Sequence, residues 1–249
     1  MNNLLLGVLM GVFTNLITAP IMRLMAFRKA RSIVWPVDIN AIKVTGPEAI
    51  RLSPKILVAT FSGIFKPRDM DEATFRQALK DADLNVLPID ENTPSMGSII
   101  RAIKTYPTLK SVYLITTRSR AGHASAESAS LFERYCSETF NRSIEILAKE
   151  DYLVIDADED PQVIRESYDA VKTVFAKMRK IDAKGYQPKE SRIIVDVTGG
   201  TKSMSTGAIL ACLRPDQDIH LIGSRYDDTG RPVESFPLLV TFKPDRSSY

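Results

Sequence analysis

Positions 4–22 pass without a single charged side chain. As a helix, that run would reach roughly 28 Å, close to the hydrocarbon thickness of a bilayer. Gly7, Gly11, Thr14, Asn15 and Thr18 recur at spacings of three or four and fall near one helical face. Gly7 and Gly11 form a G-x-x-x-G pattern that lets helix backbones approach, and Asn15 is placed to hydrogen-bond across an interface. The run therefore predicts one transmembrane helix that packs against copies of itself. Since one helix cannot enclose a channel, these residues line a pore only in an oligomer. Pro20 kinks or ends the span. Two other readings stay open, a cleaved signal peptide and a buried core helix. Against the first, the positive charge follows the apolar run and no small-x-small cleavage site comes after it.

The pattern then changes. Residues 32–54 contain Pro36, Gly46, Pro47 and Pro54 with little periodicity, and read as a linker or a peripheral strand. Short apolar runs at 55–60 (KILVAT), 111–117 (SVYLITT), 152–156 and 192–197 (RIIVDV) predict strands. Between them, helical spacing covers 70–82, 94–105 with Ile99, Ile100 and Ile103 inward, 124–139 and 161–181. A tight turn and a helix to about 213 follow, then strands at 220–224 and 237–242. The alternation predicts an α/β fold over 55–249, a mainly parallel sheet with helices on both faces, preceded by the membrane helix of 1–31. Ligands of such sheets bind beyond the C-terminal strand ends, which directs attention to the loops at 60–63, 116–119 and 198–205.

Composition narrows the classes. With 249 residues, 44% of them hydrophobic and 25% charged, the chain is neither disordered nor collagen-like nor a polytopic membrane protein. Two cysteines, Cys136 and Cys212, allow at most one bridge, lack zinc spacing and fall in predicted helices, as packed thiols of a reducing compartment would. Of the net charge of +3, Arg23, Arg28, Lys29 and Arg31 contribute +4, so residues 32–249 carry −1. That basic flank places the C-terminal body on the cytoplasmic side. The near-neutral body argues against a general DNA or RNA binder, so an anion that binds does so at a focused site.

The densest chemistry lies in D-V-T-G-G-T-K-S-M-S, residues 196–205. A buried strand ends at Asp196. Gly199 and Gly200 let backbone N–H groups approach a ligand, the next helix presents its N-terminus, and Lys202 adds a full charge. Thr201 stands where a P-loop needs its second glycine, so NTP hydrolysis loses its support, and no dinucleotide G-x-G-x-x-G is present. A strand-to-helix turn without a ligand remains the plain alternative.

This motif, with the strand ending in Thr60–Gly63 and the strand ending in Leu114-Ile115-Thr116-Thr117, resembles the CARF domain, the CRISPR-associated Rossmann fold, over roughly residues 55–245. The resemblance implies a Rossmann-like dimer that binds cyclic oligoadenylate, the messenger of type III CRISPR antiviral defence. It further implies that Thr198, Gly199, Gly200, Thr201 and Lys202 hold phosphate and ribose, flanked by Ser203 and Met204. Thr60, Ser62 and Gly63 would stand beside them, with Thr116, Thr117, Arg118 and Ser119 from the middle loop. Asp196 either holds the turn or touches ligand, and packing beneath the helix competes with ligand contact for Met204.

The family joins its sensor to an effector, and here the N-terminal helix is the segment left for that role. The architecture thus resembles the transmembrane CARF effectors, single-pass proteins of the inner membrane. The expectation is a homodimer whose ring ligand, cyclic tetraadenylate before cyclic hexaadenylate, rearranges oligomeric helices into a pore. A membrane-anchored ring nuclease and a tethered sensor that recruits another protein are the competing readings. No catalytic residue, cofactor or metal is expected. Arg118/His123 and Arg214/His220 match the spacing of a fused RNase motif only by chance. The acidic run at 156–160 suits the start of a helix, and Trp35 either anchors at the membrane interface or caps the sensor.

Overall fold

A computed structural model describes residues 37–94, 96–118, 125–156, 159–182, 193–213, 217–229 and 232–244. Residues Ile39–Phe242 form one compact unit. The expected membrane helix, with Gly7, Gly11, Thr14, Asn15, Thr18 and the basic flank, lies outside the described residues. Among the described residues no helix is long and apolar enough to cross a membrane.

In chain order the elements are strand β1 (Val37–Lys43), helix α1 (Gly46–Leu52), β2 (Ile56–Thr60), α2 (Glu72–Lys80), α3 (Gly97–Thr105) and β3 (Ser111–Arg118). A 3₁₀ turn at Ser125–Ser128 leads into α4 (Ala129–Thr139), followed by β4 (Glu145–Leu147) and β5 (Val154–Asp156). The long α5 (Asp160–Asp182), β6 (Ile193–Asp196), α6 (Lys202–Ala211), β7 (Asp218–Tyr226) and β8 (Pro232–Pro244) complete the described set.

The sheet runs β1-β8-β7-β6-β2-β3-β4, with β5 also on β3. All pairings from β7 across to β4 and β5 are parallel, and the β7–β8 hairpin is antiparallel. From β2 the chain first builds outward through β3 to β4 and β5, then returns to lay β6 on the other side of β2. Strand order thus reverses between β2 and β6, the crevice where doubly wound sheets bind ligands.

The central strands are apolar throughout because both their faces are covered. Leu57, Ala59, Val112, Leu114 and Ile194 face a layer built from α1 to α4. Ile56, Val58, Tyr113, Ile115, Ile193 and Val195 face α5 and α6. The period-two alternation splits each strand between two cores, and each fully buried aliphatic side chain contributes about 1.5–3 kcal/mol. Cys136 sits in the first core and Cys212 in the second, and burial pushes both thiols up to about 12.

Several elements differ from the sequence expectation. The segment 32–54, read as a linker or a peripheral strand, folds from residue 37 on as an edge strand, the second of those readings, followed by a short helix that was not expected. An edge strand buries too little for clear alternation, and Pro47, which reads as a breaker, sits in the first turn of α1, where its missing N–H costs nothing. The helix expected from 124 begins as a 3₁₀ turn, because Ser125 and Ser128 turn their hydroxyls to neighbouring loops. β4 was not expected: three residues are too few to show a period.

Helices α5 and α6 meet closely at Gly207, where a Cβ would lie 2.2 Å from the Ile164 carbonyl oxygen and 2.8 Å from Ser167 Cβ. Gly207→Val should therefore lower unfolding stability by at least about 2 kcal/mol in chemical denaturation. Unchanged stability would show that the two helices separate freely.

Candidate functional site

The site begins with register. In the parallel ladder the last residue of β6, Asp196, pairs across β2 with Ala59 and across β7 with His220. One residue beyond, Thr60 ends β2. Asp196 Oδ1 accepts the Thr198 N–H at 2.7 Å, so its side chain turns the chain as it leaves the strand. Ser205, on the first turn of α6, donates back to the Val197 carbonyl at 2.9 Å and the Gly199 carbonyl at 3.2 Å. The loop is closed from both ends.

Its tip is locked to the loop after β2. The Thr60 hydroxyl donates to the Gly199 carbonyl, and the Gly200 N–H donates to Ser62 Oγ at 3.1 Å. Gly200 has φ +78°, a left-handed conformation, and a Cβ there would meet Thr60 Cβ at 2.8 Å. Both the backbone and the neighbour demand glycine. Thr201 then caps α6, accepting the Met204 N–H at 3.2 Å. Lys202 and Ser203, at the first two helical positions, have backbone N–H groups with no partner inside the helix. Thr201 and Lys202 are exposed, so positive helix end and ammonium group face outward together. Ser203 Oγ donates to Asp160 at 2.6 Å, which joins the acidic start of α5 to the same region.

The middle loop joins through hydroxyls that the sequence did not single out. Ser125 Oγ accepts the Thr117 N–H at 2.7 Å, and Ser128 Oγ accepts the Ile64 N–H at 3.1 Å. Gly63, at φ +76°, lies against both, with a would-be Cβ 2.9 Å from Ser128 Oγ. Arg118 is exposed at the end of β3 and lines a cavity with Asp156 and Glu166. Ser119 and His123 lie outside the described residues, as does Arg214.

Seven of the expected residues, Thr60, Gly63, Thr116, Thr117, Asp196, Gly199 and Met204, lie behind the surface. Thr116 is fully buried, Met204 packs in the core beneath α6, and Asp196 has no exposed area. Asp196 faces His220, likewise fully buried, with 3.6 Å between Oδ2 and Nδ1. At that separation the contact is electrostatic rather than a formed hydrogen bond. Tyr106 stacks edge-on against the imidazole at 5.7 Å. Burial alone would raise the Asp196 carboxyl, but the adjacent His220 and the Thr198 N–H outweigh it and hold it below its usual range. His220 lies in the sequence as a lone histidine on a predicted strand. Its register partner was invisible without the sheet.

The assembled geometry offers the N–H groups that open α6 with the exposed Lys202 beside them, chemistry suited to a phosphate group. Thr60 and Thr117 have hydroxyls committed within the protein. Among the described residues no cluster of His, Cys, Asp or Glu could hold a metal ion.

No protein-family model matches the chain, and no curated protein does. Among solved structures it is similar to Enterococcus italicus Csm6 bound to cyclic hexa-2'-fluoro-hexa-dAMP, with a TM-score of 0.38 and 14% identity over 69% of this chain. The chain spans about a third of that protein's length, 34%.

Gly200→Ala should destabilise the loop by about 1–3 kcal/mol, read as a lowered thermal midpoint, whereas Ser62→Ala should cost less than half as much. Equal costs would sink the assignment of Gly200 as the pinned position. Because the Asp196 carboxyl is held low in the folded state, its contribution to stability is complete above the unfolded value of about 3.9 and is lost as pH falls through the folded value. The stability difference between wild type and Asp196→Asn should therefore be constant near neutrality and shrink below about pH 4; a difference that grows on acidification would reverse the sign of the interaction.

Proposed function

We propose that the chain is a CARF-type sensor of type III CRISPR defence, that its glycine loop binds cyclic oligoadenylate, and that an N-terminal membrane helix carries the response. The observation that carries this reading is the left-handed Gly200. It is tied by Thr60 and Ser62 at the point where strand order reverses, with Lys202 and the open start of α6 exposed beside it. That arrangement recognises phosphate through backbone N–H groups, a helix N-terminus and one ammonium, and it needs no covalent step. The D-x-T-G-G-T-K-x-M-S pattern adds the family to the chemistry.

A phosphate-bearing ring with two-fold symmetry suits a two-fold dimer of sensors, and cyclic tetraadenylate is the ligand of first choice. The charge-free run at 4–22, followed by four cations, supports a single-pass inner-membrane anchor with the sensor in the cytoplasm. Ligand affinity that differs between two sensor arrangements would then shift the packing of the glycine-faced helices toward a conducting oligomer. Ring cleavage has less support, since the Thr60 hydroxyl already serves the Gly199 carbonyl and Thr117 serves Ser125.

Equilibrium binding of labelled cyclic tetra- and hexaadenylate to the full chain in detergent is the decisive measurement. Lys202→Ala should weaken binding at least about tenfold, the loss of one charge-assisted contact. In cells, ligand production should collapse the membrane potential with wild type and leave it intact with Lys202→Ala. A full chain that binds neither ring, or a variant that binds as tightly as wild type, would refute the site.

A further inference from the structure

A second polar cavity, of about 280 Å³, has Thr198 in its wall and lies between the start of α3, the 91–93 loop and the β7–β8 hairpin. Its wall includes Gly97 and Ser98, the first two residues of the nine-residue helix α3, so the positive helix end borders the space. The N-cap residue, Met96, has no side-chain acceptor to cover that end. Ser98 is 9% exposed, and its hydroxyl oxygen is buried with no hydrogen-bond partner. A hydroxyl left unpaired costs stability unless something else satisfies it.

Arg101, one turn further along the same helix, also lines the cavity. Its guanidinium reaches Asn92 Oδ1 at 3.4 Å and, among the described residues, pairs with no carboxylate. The one acidic group in the wall, Glu91, is neutralised by its ion pair with Lys104. Space is kept tight at the helix start: a Cβ on Gly97 would lie 2.1 Å from the Glu91 carbonyl oxygen. An arginine that pairs with no carboxylate among the described residues, an orphan hydroxyl and a helix end without a side-chain cap thus meet in one cavity with no net negative charge. At the helix end the Gly97 N–H already donates to the Thr93 carbonyl at 2.8 Å, so the donors left over are the Ser98 hydroxyl and most of the Arg101 guanidinium.

We propose that this cavity is a second anion site, taking a single phosphate group held by Arg101 and Ser98 beside the start of α3. The phosphate is either free or one carried by the ligand of the glycine loop; the second source rests on the function proposed above, the first does not. Thr198 forms part of the wall and holds the Ile222 N–H at 3.1 Å, so the two sites share one strand end.

The test is a thermal-shift and calorimetric titration of the full chain with inorganic phosphate, repeated with cyclic tetraadenylate. Wild type and Lys202→Ala should both show saturable stabilisation by phosphate. Arg101→Gln should weaken phosphate binding at least about tenfold. Ser98→Ala removes only an unpaired hydroxyl, so it keeps the fold and should lose several-fold in affinity. It decides the matter if Arg101→Gln fails to fold. Loss of inorganic phosphate alone identifies a free-phosphate site, whereas a matching loss of cyclic tetraadenylate affinity identifies a subsite of the larger ligand. Phosphate binding that is absent in wild type, or unchanged in the variant that folds, overturns the proposal whatever the glycine loop binds.

Discussion

Two chain segments that are 139 residues apart in sequence must share one narrow space where β2 and β6 end side by side. The parallel sheet brings their last residues together, and both chains must leave the sheet there. Only a residue without a Cβ fits against Thr60, and only one that tolerates positive φ lets the second chain turn away at once. Gly200 meets both demands, and the Thr60 hydroxyl then closes on the Gly199 carbonyl. The start of α6, the direction of its exposed N–H groups and the position of Lys202 all follow from that closure.

Beneath the loop lies a buried electrostatic pair. Removing a carboxylate and an imidazole from water is expensive, and a buried pair is seldom a net gain in stability. What the Asp196–His220 contact contributes is position. Asp196 spends one oxygen on the turn and directs the other toward the next strand, so the loop is tied down to the sheet that supports it. A surface site for a charged ligand thus stands on a foundation that solvent does not reach, and its geometry changes little when the surface is screened by salt.

The same strand end serves the two anion sites proposed here. A body of nearly zero net charge gains no affinity from a diffuse field, so every attraction for phosphate comes from local donors: helix ends, one lysine and one arginine. Such a surface discriminates by shape and spacing rather than by charge density. That suits a sensor of a particular small polyanion better than a protein that coats nucleic acid. Coupling to the proposed membrane helix would require only that the occupied and empty forms pack differently.

Much of this was legible in the chain itself. Continuous apolar runs such as ILVAT and IIVD declare strands buried on both faces, helical spacing declares their covers, and their alternation implies a parallel sheet. The residues of 196–205 declare a tight glycine turn that opens a capped helix, because glycine pair, cap and lysine are contiguous. Hidden were contacts made across the sheet or between loops: His220 beside Asp196, Ser125 and Ser128 beneath the middle loops, Ser98 and Arg101 around a cavity. Helix α1 escaped notice, and the edge strand β1 was legible only as one of two readings of its segment, for a related reason: weak burial leaves no period. Local chemistry and periodicity are written along the chain, because backbone geometry repeats over a few residues. Which distant side chains meet depends on strand order and register, and those are settled only when two cores close on opposite faces of one sheet.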